Sequence, residues 1–309
     1  MNAIPSTKRV EILETSHIDK TSESITGNPP VLKLIQLGFQ VFGPLFPKYA
    51  GKLAFQLFTT PRVRAHHKAS DEILESARMF EFLYGKQILK GYEWGSGDRT
   101  ILLVHGWESR GTALRTFVPG LIKQGFRVVA FDGPAHGNSG GKRTNLVHFA
   151  GAIQAAIRQV GNVHSIIAHS FGGASTVFAL SNSSKTIALE KLVLIATPSS
   201  MRKVMQKNVD ELKLPKSVTT ELFKYTENLF QRPVDTVDVR HVHEKLAVKE
   251  TLLVHDRLDP MVPFQSSEAV LDAWENTTLL VTEGFGHYRL MKNPDLIVRV
   301  TQFIISPVI

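Results

Sequence analysis

Cysteine is absent from all 309 residues. No disulfide can staple the fold, and neither a thiolate nucleophile nor a cysteine-ligated metal is available. Uninterrupted apolar runs of membrane-spanning length are also missing. The stretch 31–58 is broken by Lys33, Pro44, Pro47, Lys48 and Lys52, which suit a spanning helix poorly. The first 30 residues lack the apolar core of a secretory signal, so a cytoplasmic location is the expectation. There is no glycine-rich phosphate loop, internal repeat or low-complexity tract. Histidines stand mostly isolated, and His241 and His243, expected in a cap, have no third ligand at convincing spacing. Neither a cofactor nor a metal is therefore expected, and His66 and His67 read as part of a solvated helix.

What is present is a globular composition, 43% hydrophobic and 21% charged, with a net charge of +8. Lys and Arg are scattered along the chain, which indicates a generally basic surface and no nucleic-acid partner. Nothing in the residue order specifies an oligomeric state.

Apolar spacing predicts helices over 31–42, 49–58 and 71–83. Strands are predicted at 87–94 and 100–105, across the turn Gly95-Ser96-Gly97-Asp98. Short, β-branched, nearly unbroken runs then recur at 127–131, 165–168, 191–196, 251–254 and 278–281, as in strands buried on both faces. Helix-like stretches separate them at 112–124, 145–160, 172–180, 265–274 and 294–304. The alternation predicts an α/β fold, a doubly wound and mostly parallel sheet. Residues 1–85 read as a polar tail and helical extension, and 86–309 as the sheet domain. An insertion at about 199–246 reads as a small helical cap over the C-terminal strand ends, where open α/β sheets bind ligands.

The sharpest local signal is Ala168-His169-Ser170-Phe171-Gly172, a serine between an apolar strand and a small-residue helix start. A tight strand-to-helix turn needs small residues two before and two after the serine, because the backbones approach closely. Alone this pattern is weak, since a serine also caps helices. Four further segments agree with it. Leu103-Val104-His105-Gly106-Trp107 ends a strand in His-Gly. Phe131-Asp132-Gly133-Pro134-Ala135-His136-Gly137-Asn138-Ser139 follows the next strand. His255-Asp256-Arg257-Leu258-Asp259-Pro260-Met261-Val262-Pro263 and Glu283-Gly284-Phe285-Gly286-His287 follow the last two.

Together these segments resemble the α/β-hydrolase superfamily, serine-nucleophile and esterase- or lipase-like, over roughly 89–305. The resemblance implies Ser170 as nucleophile, His287 as general base and Asp259 as the acid that orients it, with Asp256 the rival acid. It further implies oxyanion donors in the backbone N–H groups of Trp107 and Phe171, and His105, Gly106 and His169 beside the substrate. His136 is expected to be structural. Ala168 and Ala135 stand where glycines are usual.

The implied activity is hydrolysis of an apolar small-molecule ester or acyl compound, carboxylesterase or lipase-like, without a cofactor. Thioesterase, peptidase and acyltransferase chemistry use the same triad and stay open, as does a non-catalytic ligand-binding role. For the apolar helices before residue 85, a lid or scaffold role is favoured and a membrane-surface contact is the alternative.

Overall fold

The computed structural model describes residues 8–13, 30–66 and 72–308. In chain order the elements begin β1 (Lys8–Ile12), α1 (Pro30–Phe42), α2 (Pro47–Phe58), α3 (Glu72–Glu75), β2 (Arg78–Tyr84), β3 (Gln87–Trp94), β4 (Thr100–Val104), α4 (Val118–Lys123) and β5 (Arg127–Phe131). They continue α5 (Leu146–Val160), β6 (Val163–His169), α6 (Phe171–Ser181), β7 (Ala188–Ile195), α7 (Met201–Leu212) and α8 (Lys216–Phe230). The chain ends β8 (Ala247–Asp256), α9 (Gln265–Ala273), β9 (Thr277–Thr282), α10 (Gly286–Arg289) and α11 (Pro294–Ile305).

Two compact units emerge. Among the described residues the larger comprises 8–13, 62–66, 72–199 and 239–308, and the smaller 30–61 and 200–238. The larger unit is built on one nine-stranded sheet of order β1-β9-β8-β7-β6-β4-β5-β3-β2. All pairings are parallel except β5–β3 and β3–β2. Alternation along β4 distributes its side chains to two layers. Leu102 and Val104 pack with Phe149, Ile153 and Val177, whereas Ile101 and Leu103 pack with Leu114, Phe117, Leu121 and Val300. Both faces being covered explains why the central strands read as unbroken apolar runs. Local chemistry sets the helix starts: Asn145 accepts from His148 N–H at 2.9 Å, and Asn293 caps Leu296 at 2.9 Å ahead of Pro294.

In the smaller unit, α1 and α2 pack with α7 and α8. The Gln36 amide donates to Glu211 O at 2.7 Å. Gly51 permits a close approach of α2 to α8, since a Cβ there would lie 2.5 Å from Glu221 Cβ.

Several expectations need correction. The segment 71–83 is not one helix: only Glu72–Glu75 is helical, and Arg78–Tyr84 is an edge strand paired antiparallel with β3. Its helix formers Met79, Glu81 and Leu83 yield to cross-strand pairing, with ion pairs Arg78–Glu93 and Lys90–Glu81 along the ladder. Residues 1–85 do not form one extension, because β1 and β2 are sheet strands while α1 and α2 belong to the smaller unit. Most of the polar stretch before residue 30 lies outside the described residues. His241 and His243 belong to the larger unit, on a 3-10 turn Val239–Lys245, where His243 stacks on Trp274. His66 lies in no helix, and His67 lies outside the described residues.

Candidate active site

The segments singled out in the sequence all follow parallel strands. Ser170 follows β6, the His105–Trp107 loop β4, the Asp132 loop β5, Asp259 β8 and His287 β9. They therefore gather at the C-terminal ends of neighbouring strands, where connecting loops can converge.

Ser170 turns the chain from β6 into α6 at φ 53° and ψ −123°, a conformation costly for a residue with a Cβ. Its N–H donates to Ile195 O at 2.8 Å, which ties the turn to β7. Small neighbours make the turn feasible. A Cβ on Gly172 would lie 2.2 Å from His105 O, and one on Gly173 2.0 Å from Thr197 Oγ1. A Cβ on Gly106 would lie 2.9 Å from His169 Nδ1 and 3.2 Å from Ser170 Cβ. The β4 loop thus passes directly beside the serine.

His287 Nε2 lies 2.9 Å from Ser170 Oγ and its Nδ1 lies 2.7 Å from Asp259 Oδ2. A carboxylate only accepts, so Nδ1 carries the proton and Nε2 presents a lone pair to the serine hydroxyl. Asp259 Oδ1 accepts from the N–H groups of Met261 at 2.7 Å and Val262 at 2.9 Å. Burial pushes this carboxyl upward, but the hydrogen bonds from His255 and His287 outweigh it and hold Asp259 well below the usual carboxylate range.

Asp256 is fully buried and accepts from Leu258 N–H at 3.0 Å, Thr282 Oγ1 at 2.8 Å, Gly284 N–H at 3.2 Å and Phe285 N–H at 2.9 Å. It joins the loop carrying Asp259 to the loop carrying His287 and does not touch the imidazole itself. Arg289 braces the same turn through Gly284 O at 2.9 Å and Phe285 O at 3.2 Å.

The histidines expected beside the substrate are both buried and hydrogen-bonded to backbone groups. His105 is buried, with Nδ1 2.7 Å from Gly106 O and Nε2 accepting from Gly133 N–H at 2.9 Å. His169 is buried as well, and its Nε2 donates to His287 O at 3.0 Å. Burial lowers His169 to about 3. Gly106 is buried and serves close backbone approach. His136, expected to be structural, accepts from Glu108 N–H at 3.0 Å and lies 2.9 Å from Pro134 O; burial lowers it to about 3. Ala135 adopts φ 65°, the left-handed region that favours glycine. The rings of Trp107 and Phe171 meet edge to face at 5.2 Å, and Tyr288, 43% exposed, packs on His287 at 4.8 Å.

Sequence reasoning missed His255, whose Nε2 lies 3.5 Å from Asp259 Oδ2. A polar ring four residues before the acid, directly after the apolar run Leu252–Val254, was the available signal.

A sheet of this order with a strained serine between strand and helix is the α/β-hydrolase fold. The chain belongs to the alpha/beta hydrolase family, whose sequence model matches residues 101–300. No curated protein sequence matches. Among solved structures, an esterase from Pyrococcus furiosus is similar at 20% identity and TM-score 0.59, over 80% of this chain and 96% of that one. A bromoperoxidase from Bacillus anthracis is similar at 18% identity and TM-score 0.56, over 75% and 100% of the two chains. A bacterial membrane phospholipase A is similar at 16% identity and TM-score 0.56, over 89% and 95%. At these identities the likenesses define the fold. Family membership indicates a hydrolase with a small-molecule substrate, and among the described residues no helix is long and apolar enough to cross a membrane.

Proposed function

We propose that this protein is a serine hydrolase that cleaves a small, largely apolar ester through an acyl-enzyme. The observation that carries the reading is the hydrogen-bond chain Ser170 Oγ–His287–Asp259, at 2.9 and 2.7 Å, built on a serine held at φ 53°. Ser170 Oγ attacks the ester carbonyl while His287 Nε2 takes its proton. Asp259 fixes the tautomer and stabilises the imidazolium. The C–O bond breaks as His287 returns the proton to the leaving alcohol. Water, deprotonated by the same nitrogen, then releases the acid and restores Ser170.

The tetrahedral oxyanion is assigned to the backbone N–H groups of Phe171 and Trp107. Phe171 opens α6, where the first N–H groups have no intrahelical acceptor, and Gly106, before Trp107, runs beside Ser170. Preorganised donors of this kind usually supply the largest electrostatic stabilisation. The rings of Trp107, Phe171 and Tyr288 give the neighbourhood an apolar character suited to an acyl chain.

A fluorophosphonate probe and p-nitrophenyl esters of graded acyl length test the reading, with thioesters of the same chains alongside. Labelling and turnover are expected in the wild type and absent in Ser170→Ala. Their absence in folded wild-type protein overturns the hydrolase assignment, and a preference for thioesters overturns the ester assignment alone.

A further inference from the structure

We propose that the consecutive helices α1 and α2 form a docking surface for a bilayer bearing anionic headgroups. Each helix has two apolar faces. One face is covered within its own unit: Phe39 on α1 and Ala54 on α2 are buried, and the two helices pack with α7 and α8. The other face is open. Leu34, Leu37, Val41 and Phe42 follow one another along α1 at helical spacing, with Leu34 71% and Phe42 62% exposed. The turn after α1 adds Leu45 and Phe46, and α2 adds Tyr49, 80% exposed, and Leu53. So many exposed large apolar side chains within one short segment are uncommon unless they meet something.

The charges beside it identify the partner. Residues 30–61 contain Lys33, Lys48 and Lys52 and no Asp or Glu, and all three lysines are exposed. Within this segment the only charges beside the apolar side chains are positive, which suits acyl chains beneath anionic phosphate groups, and the acidic Glu211 and Glu221 lie on the α7 and α8 side where the helices pack. Helix length decides between lying on the membrane and crossing it. At 1.5 Å per residue the 13 residues of α1 reach about 20 Å, short of the roughly 30 Å hydrocarbon core. The helices therefore lie in the interface plane.

The test uses the full chain and two kinds of vesicle, phosphatidylcholine alone and phosphatidylcholine mixed with phosphatidylglycerol, in a co-sedimentation assay. The wild type is expected to sediment with the mixed vesicles and to be released by salt. Replacing Lys33, Lys48 and Lys52 together by Gln should weaken this binding on the order of a hundredfold, and Leu34→Glu combined with Phe42→Glu should abolish it. The replaced side chains are exposed, so far-ultraviolet circular dichroism should be unchanged; if the Glu variant is misfolded, the lysine variant decides. Failure of the wild type to bind mixed vesicles overturns the proposal, as does binding that neither variant reduces. Self-association without vesicle binding, abolished by the Glu substitutions, would assign the surface to a second copy and equally overturn it. None of these readouts depends on hydrolase activity.

Discussion

His255 and His287 share one oxygen of Asp259, Oδ2, at 3.5 and 2.7 Å. His255 Nε2 also lies 3.0 Å from Val262 O, an acceptor, so it carries a proton, and its Nδ1 accepts from Ser267 Oγ at 2.6 Å. The ring anchors the acid loop to α9. His255→Leu should lower kcat between ten- and a hundredfold through misplacement of Asp259 and leave KM nearly unchanged. His255→Gln, which retains a donor, should restore part of the loss. An equal effect on kcat and KM, with no rescue, would show a general packing role instead.

The two carboxylates of the β8 loop should separate in their effects. Asp259→Asn is expected to lower kcat by about four orders of magnitude through the wrong histidine tautomer, with a modest change in stability. Asp256→Ala removes an acceptor from several buried donors, each costing about 1–3 kcal/mol when left unpaired. Thermal unfolding and turnover measured on both variants check this. A stable Asp256→Ala protein would refute the bracing role.

Strain at Ser170 should be recoverable as stability. A glycine tolerates φ 53° without the Cβ penalty, so Ser170→Gly should abolish fluorophosphonate labelling and raise stability by about 1–3 kcal/mol. Denaturant midpoints for wild type, Ser170→Ala and Ser170→Gly give the comparison, with only the glycine variant expected to rise clearly.

Acid should weaken the fold through buried neutral histidines. Burial lowers both His136 and His169 to about 3, whereas an unfolded histidine titrates near 6.5. Between these values the unfolded chain binds one more proton per histidine than the folded one. Their contribution is fully present above about pH 6.5 and is lost as pH falls toward 3, by about 1.4 kcal/mol per pH unit for each. His136→Gln keeps an acceptor for Glu108 N–H and should flatten the slope. Unfolding free energies at several pH values between these limits read it directly, and an unchanged slope refutes the assignment.

Local order in the sequence sufficed wherever structure depends on neighbours along the chain. The unbroken apolar runs gave the central strands because both faces are covered. The Ala168–Gly172 pattern gave the strand-to-helix turn because only small side chains fit it, and the chain order placed Ser170, Asp259 and His287 on loops that could converge. Tertiary structure decided what depends on partners far away. The edge strands β1 and β2 carry little periodic signal of their own and exist through pairing with β9 and β3. Residues 30–58 share a unit with 200–238 because their inward faces find cover there. Asp259 and Asp256 are chemically alike and three residues apart, so the sequence favoured Asp259 only through the family resemblance and kept Asp256 as the rival acid. The hydrogen bonds separate them: one meets His287, and the other is consumed by the backbone of two loops.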